Sequence, residues 1–383
     1  MTCEAASALG VRTVVLAAQP DDAATDVASA VLVGGATDRA ALSALASRCD
    51  VVTFDHEHVD LDLLAELAHD GAELRPGVDT LRVAVDKAEM RARLAAAGVP
   101  VPRFEVLGLA GSDGTGAEKL ARAIAVFAGG DRWPVVVKAT RGGYDGKGVW
   151  PVSDERAANE VCAAAARAAI PLLVEAHVEL DAELAVVVAR GADGESVAWP
   201  PVETAQVDGV CREVHYPGRL APGLAEDAAA LAREVAEVVG ATGVLAVELF
   251  VAGGSLLVNE IAARPHNSAH WTIEGSTTSQ FENHVRAALG LPLGDTTPSA
   301  ACSVSVNVFG APCAQAADPG DRLAAALRVK GAHVHLYGKA PRPGRKLGHV
   351  TVCGNDPEEV RARAWAAARA LGTPVPASVG EDA

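Results

Sequence analysis

Pro134-Val135-Val136-Val137-Lys138 runs almost directly into Arg141-Gly142-Gly143-Tyr144-Asp145-Gly146-Lys147-Gly148. An apolar run of this kind, closed by a glycine cluster, reads as a buried strand. Four glycines in the eight residues that follow let the backbone N–H groups come close to a ligand. Lys138, Arg141 and Lys147 surround that loop with positive charge. Strand, lysine and basic glycine loop, in this order, are what a polyphosphate site needs. A surface hairpin with ordinary turn glycines fits the same residues. The pattern is neither G-x-x-x-x-G-K-[ST] nor G-x-G-x-x-G after a first strand, so neither the P-loop nor the Rossmann fingerprint describes it.

The surrounding chain has 383 residues, enough for two or three domains. Half of it is apolar but only 4% is aromatic, so its cores must be packed with Ala, Val and Leu. Val-rich runs alternating with Ala-rich stretches predict an α/β protein. A net charge of −16 excludes a broad nucleic-acid-binding face, although a few clustered cations still suffice for a nucleotide. No apolar span approaches the roughly 18 residues of a membrane helix, and no basic-then-apolar leader opens the chain. A soluble protein with no membrane partner is expected. Cys3, Cys49, Cys162, Cys211, Cys302, Cys313 and Cys353 are scattered and form no C-x-x-C pair. Free thiols in a reducing cytoplasm are the expected reading.

From the start, Glu4 to Leu9 reads as a helix, residues 12–17 and 30–33 as strands, and Asp38 as the N-cap of a helix reaching Ser47. Residues 50–54 read as a third strand and residues 61–69 as a helix, giving a small doubly wound unit with ligands at its carboxyl strand ends. Asp55 and Glu57 follow one such end and suit a solvated turn as well as a site. A helix is expected from Asp86 to Ala97, stopped by Gly98 and Pro100, and another from Ala117 to Phe127. After the glycine loop the periodicity predicts a helix from Asp154 to Ala168, then strands at 172–174 and 183–188. A last strand at 350–352 and a helix from Pro357 to Leu371 close the chain.

Residues 243–250 and 256–261 form a hairpin pattern around Gly253-Gly254. Glu248 and Glu260 interrupt its otherwise apolar strands. A buried carboxylate is costly unless paired or metal-bound, so two on adjacent strands suggest a shared cation, with Asn259 adding an oxygen. Hard oxygen ligands suit Mg²⁺. Two solvent-facing charges are the alternative. Arg264-Pro265-His266-Asn267-Ser268-Ala269-His270-Trp271 follows directly. Four cations fall within the eight residues from Lys339 to Lys346, where they form either a solvated loop or an anion site.

These residues resemble the N5-carboxyaminoimidazole ribonucleotide synthetases, a family of the ATP-grasp superfamily in purine biosynthesis. Three stretches carry the resemblance: Lys138 to Gly148, Asn259 to Gly290, and Tyr337-Gly338-Lys339 with Arg342-Pro343-Gly344-Arg345-Lys346-Leu347-Gly348. It extends from about residue 8 to residue 372. It implies an α/β ATP-grasp fold, with an incomplete Rossmann-like pre-ATP-grasp domain at 1–85, an ATP-grasp domain at 86–297 and a small C-terminal domain at 298–383 that completes the substrate site. It further implies an ATP-dependent ligase joining bicarbonate to 5-aminoimidazole ribonucleotide through carboxyphosphate, dimeric and cytoplasmic, using ATP with Mg²⁺ or Mn²⁺.

Carried over residue by residue, Lys87 and Lys138 contact ATP phosphates, and the loop holding Gly143, Gly146, Lys147 and Gly148 closes over them. Glu175, Ala176, His177 and Val178 meet adenine, Glu183 the ribose, and Gln206 lies near the nucleotide. Glu248 and Glu260 hold the metal, with Asn259 beside them. Tyr144, Asp145, Lys147, Arg264, His266 and Asn267 surround the reacting groups, and Lys339, Arg345 and Lys346 grip the ribonucleotide phosphate. The chain departs from the family twice. It begins just after the family's first strand and Gly-Gly-Gly-Gln-Leu-Gly loop, and the family's Phe-Glu-Phe-Glu-Asn reads Phe54-Asp55-His56-Glu57-His58 here. Two other functions stay open: another ATP-grasp carboxylate–amine ligase, such as a formate-dependent glycinamide ribonucleotide transformylase, and a nucleotide-binding paralogue impaired in catalysis.

Overall fold

Long Val/Ala runs with few charges belong in strands covered on both faces. The computed structural model, which describes residues 1–109, 115–130, 132–143, 146–311 and 318–376, puts them there. Ala182–Arg190 and Gly243–Ala252 pair antiparallel along nearly their whole length. Because side chains alternate across a strand, the two strands feed two cores. Leu184, Val186, Val188, Leu245, Val247 and Leu249 pack on one face with Ala228, Ala232 and Val235 of helix Leu224–Val238. Ala185, Val187, Ala189, Val244 and Ala246 pack on the other with Trp199 and Trp271.

These strands lie within a nine-stranded sheet that starts at the edge strand Ser255–Ala262 and proceeds through Gly243–Ala252, Ala182–Arg190, Val202–Val207 and Val210–Tyr216. It continues without a break through Cys302–Phe309 and Lys346–Gly354 to Ala332–Leu336, while the short Ser196–Ala198 pairs off the main path. A separate four-stranded antiparallel sheet orders Phe104–Gly108, Leu172–Ala176, Val135–Ala139 and Val149–Val152. Ile124 and Phe127 from one helix and Ala158 and Cys162 from another cover it. Residues 177–181 connect the two sheets, so a cleft between them is framed by both.

Near the start, Val14–Ala17 pairs in parallel with Ala30–Val33. Asp38 caps Arg39–Ala46 by accepting from the Ala40 and Ala41 N–H groups, as expected. Leu42, Leu45, Leu63 and Leu64 join the same core as the large sheet, which fixes the N-terminal unit against it. The expected strand at 50–54 does not form: Val52 makes an isolated bridge to Leu74, and Phe54 is buried. Its apolar pattern records packing into the core and not a ladder. A second correction concerns the glycine loop. Val149–Val152 pairs antiparallel with Val135–Ala139 before helix Glu155–Arg167 begins, so the loop is the turn of a hairpin. Cys3, Cys49, Cys162, Cys211, Cys302 and Cys353 are not joined in disulfides, and Cys313 lies outside the described residues. Among the described residues no helix is long and apolar enough to cross a membrane.

His284 joins the N-terminal unit to the large sheet. The Val244 N–H donates to its Nδ1 at 3.2 Å, which leaves the proton on Nε2 for Thr53 Oγ1 at 2.7 Å. Burial pushes its pKa from 6.5 down to about 4. The folded state therefore resists a proton that the unfolded chain accepts, and this stabilisation is complete above pH 6.5 and lost as pH falls towards 4. The contribution is on the order of 3 kcal/mol. Accordingly, His284→Gln should melt well below the wild type at pH 7, with the gap closing on acidification through that window. A gap independent of pH in paired thermal scans would contradict the assignment.

Candidate functional site

The cleft floor is set by the hairpin of Gly243–Ala252 and Ser255–Ala262. Glu248 lies directly opposite Glu260, and the register then shifts so that Leu249 faces Val258. Asn259 is thus the extra residue of a β-bulge, a device that re-aims side chains beside sites. Its Oδ1 accepts from Lys138 Nζ at 3.1 Å, and its carbonyl accepts from Arg91 Nη2 at 2.7 Å. Its neighbour Glu260 takes Lys87 Nζ at 2.6 Å. Lys87 and Arg91 stand four apart on helix Lys87–Ala96 and so share one face.

Lys138 and Glu175 come from adjacent strands with Glu175 opposite Val136, which puts both on one face of the smaller sheet. Glu175 accepts from Lys138 Nζ at 2.7 Å and from Arg91 Nε at 2.5 Å. Burial works to raise the Glu175 pKa, but the charges of Arg91 and Lys138 outweigh it and hold the carboxyl below its usual range. Burial lowers Lys138, opposed by Glu175. Of the residues that would meet adenine, Glu175 closes the strand with Ala176, and His177 and Val178 begin the connection between the sheets. Glu183 sits opposite Phe250, two positions from Ala185, which faces Glu248; burial raises its pKa. Gln206 lies on Val202–Val207 opposite Cys211.

About 31% of the Glu248 side chain remains open to the cleft. Burial of the carboxylate, then the charges of Glu260 and Glu183, still push its pKa up to about 8. Crowded hard oxygens whose ionisation the charges of Lys87 and Lys138 only partly offset fit a divalent cation. Among the described residues no group of three or more His, Cys, Asp or Glu could hold a metal, so two carboxylates are all the protein offers here. That matches Mg²⁺, which keeps waters and takes phosphate oxygens.

Beyond this floor, Arg264 Nε pairs with Glu57 Oε2 at 3.2 Å while the Ala263 N–H donates to Glu57 Oε1 at 2.9 Å. Glu57, readable from sequence as a solvated turn, in fact orients Arg264. His266 Nε2 lies 3.6 Å from Glu248 Oε1. Burial, then the charges of Arg264 and Lys346, push His266 down to about 3, so the ring is neutral and the contact is not an ion pair. Asn267 opens the short 3₁₀ turn that follows.

The glycine hairpin leans over the cleft from the other sheet. Asp86 caps Lys87–Ala96 with Oδ1 and takes Arg141 Nε on Oδ2 at 2.6 Å, which anchors the loop at its start. A Cβ on Gly146 would stand 3.3 Å from the Gly209 Cα, and Gly146 has φ +74°. The loop tip therefore rests on the Asp208-Gly209 turn of the large sheet, and only glycine suits that approach. Gly143, Lys147 and Gly148 belong to the same hairpin turn; Tyr144 and Asp145 lie outside the described residues. A cleft of about 390 Å³ lies between Arg141-Gly142 and the Glu57 loop.

Of the three cations expected to grip the ribonucleotide phosphate, Lys346 reaches the centre, since its charge acts on His266, His270 and His349. Lys339 sits 5.4 Å from the Tyr337 ring centre, and Arg345 Nη1 donates to the Ala340 carbonyl at 3.1 Å. Their loop touches Ala23 through Gly338, just past the carboxyl end of Val14–Ala17. That is where a doubly wound unit binds ligands. Arg91 and Gln280, which hold Glu175 and the His266 backbone in position, carry no signal in the sequence that marks them out.

A family model described as the ATP-grasp domain matches residues 92–281, that of the phosphoribosylaminoimidazole carboxylase C-terminal domain matches 303–363, and that of the ribonucleotide synthetase preATP-grasp domain matches 1–85. The N5-carboxyaminoimidazole ribonucleotide synthase of Mycobacterium tuberculosis is 46% identical over 374 residues, covering 97% of this chain and 85% of the relative. The N5-carboxyaminoimidazole ribonucleotide synthetase of Thermus thermophilus superposes with a TM-score of 0.82 at 33% identity, covering 98% of this chain and 96% of the other. The Aspergillus clavatus synthase, solved with ADP and 5-aminoimidazole ribonucleotide, gives 0.82 at 29% identity, covering 97% and 95%.

Proposed function

The chain belongs to the N5-carboxyaminoimidazole ribonucleotide synthase family of ATP-grasp enzymes, and from that premise we propose that it uses ATP to join bicarbonate to the amine of 5-aminoimidazole ribonucleotide. The observation that carries the reading is one cleft in which paired strand carboxylates face Lys87 and Lys138 while Arg264, His266 and Lys346 close the far side.

ATP lies between the two sheets, with adenine against residues 175–178, ribose near Glu183 and Gln206, and phosphates towards Lys87 and Lys138. Glu248 and Glu260 would hold Mg²⁺, or Mn²⁺ in its place, which would supply neutralisation of the phosphate charge, while Lys87 stands beside Glu260. A bicarbonate oxygen attacks the γ-phosphorus; the β–γ bridge breaks and ADP leaves with that electron pair. Arg264 and His266 hold the bicarbonate oxygens in line, and phosphoryl transfer needs such positioning more than a covalent nucleophile. The amine nitrogen then bonds to the carboxyl carbon, phosphate departs, and the nitrogen gives up a proton. The glycine hairpin, with Lys147, Tyr144 and Asp145, keeps water from the acyl phosphate. Lys339, Arg345, Lys346 and Asn267 grip the ribonucleotide.

Phosphate release measured with bicarbonate plus 5-aminoimidazole ribonucleotide, and separately with formate plus glycinamide ribonucleotide, tests the reading. Turnover is expected with the first pair alone. Turnover only with the second would overturn it, and ATP binding without turnover on either would favour a non-catalytic paralogue.

A further inference from the structure

Gln280 begins helix Gln280–Leu289 and is completely buried. Its carboxamide has one possible orientation. Oε1 accepts from the His266 backbone N–H at 2.8 Å, and Nε2 donates to the carbonyl of the same residue at 2.7 Å. A backbone N–H cannot accept and a carbonyl cannot donate, so a flipped amide would break both bonds. The same Nε2 lies 2.9 Å from His270 Nδ1. With a donor aimed at it, Nδ1 must accept, and the ring proton of His270 resides on Nε2.

The two ring nitrogens point away from each other, so the Nε2–H is directed away from Gln280. The His349 ring centre is 4.8 Å from that of His270, and Tyr337 is edge-on to it at 6.2 Å. The charges of Lys346 and Arg264 both act on His270. Among the described residues the Nε2–H has no hydrogen-bond partner, and it is the small part of His270 (8% exposed) left open, since the atom is not closed off from solvent. An N–H that reaches the cleft without a protein partner is placed to donate to a ligand oxygen. A neutral donor also adds a hydrogen bond where another cation beside Arg264 and Lys346 would be repelled.

We propose that Gln280 is a positioning residue: it clamps the His266 backbone and holds His270 as the Nε2–H tautomer, so that His270 donates to an anionic oxygen of the ribonucleotide beside Lys346. This rests on the function proposed above. Its value lies in orientation, since a donor held in one tautomer loses no binding energy to choosing between two.

Two-bond ¹⁵N–¹H spectra of histidine-labelled protein read the tautomer, with His270→Gln supplying the assignment. The wild type is expected to show His270 protonated on Nε2. In Gln280→Glu, whose oxygens can only accept, the proton should move to Nδ1. Kinetically, Gln280→Glu and His270→Gln should each lower kcat/KM for the ribonucleotide about 30-fold with KM for ATP within about twofold of wild type. His270→Gln leaves the Gln280–His266 bonds in place, so it reports even if Gln280→Glu does not fold. An Nδ1–H tautomer in the wild type, wild-type kcat/KM in either variant, or equal losses towards ATP and ribonucleotide would overturn the proposal. If the wild type does not carboxylate the ribonucleotide, the function fails while the tautomer spectrum still decides the clamp.

Discussion

Glu260→Ala is expected to lower the rate of ADP formation on the order of 10³-fold, about 4 kcal/mol of transition-state stabilisation. The reason is geometric. Glu260 and Glu248 sit opposite each other on paired strands, and among the described residues no group of three or more His, Cys, Asp or Glu is arranged to hold a metal. Removing one would leave a single carboxylate for the cation proposed to bind against the triphosphate. The fold should survive, because the Glu260 side chain is 40% exposed and such an ion pair with Lys87 contributes only about 1 kcal/mol or less. The measurement is coupled ADP release alongside far-UV circular dichroism. Undiminished turnover with an intact spectrum would refute the metal assignment.

Glu175→Ala should have the opposite profile, with stability as its main casualty. Glu175 is 3% exposed and compensates two cations that are themselves buried, Arg91 at 0% and Lys138 at 8%. Deleting it strands both in a medium that solvates neither. Breaking a buried pair in this way costs about 3–5 kcal/mol. The unfolding midpoint should fall by about 5–10 °C. Arg91→Met should be milder, because Glu175 keeps Lys138 and a similar volume is retained. An unchanged midpoint in Glu175→Ala would mean that the three groups are not desolvated as the geometry indicates.

Much of this cleft is legible in the sequence, for reasons that can be named. Strand alternation around Gly253-Gly254 exposes Glu248 and Glu260 as misfits in apolar runs, because a strand buried on one face tolerates no unpaired charge. Lys138 and the glycine turn stand out by composition alone, and Asp38 and Asp86 announce helix starts because an N-cap is a local interaction. Of the two readings of residues 141–148, the strand pairing bears out the hairpin: the loop is a hairpin turn that leans across the cleft.

What the sequence conceals depends on long-range geometry. The bulge at Asn259 has no signature in Leu256-Leu257-Val258-Asn259-Glu260, yet it lets adjacent residues meet Lys138 and Lys87. Arg91 reads as a solvent-facing helical arginine until Glu175 is brought to it from 84 positions away. Gln280 is one polar residue at a helix start, and its function becomes visible only when the 266–270 loop folds over it. The expected strand at 50–54 fails for the same kind of reason, since apolar alternation reports burial whether or not a partner strand lies alongside.

The central claim is that ATP activates bicarbonate in this cleft before the amine captures the carboxyl group. It is tested most directly by turnover of 5-aminoimidazole ribonucleotide with ¹⁸O-labelled bicarbonate, followed by mass analysis of the released phosphate. If a bicarbonate oxygen attacks the γ-phosphorus, that oxygen leaves with the phosphorus, and each phosphate should carry one ¹⁸O atom from bicarbonate. Phosphate free of bicarbonate oxygen would contradict the mechanism.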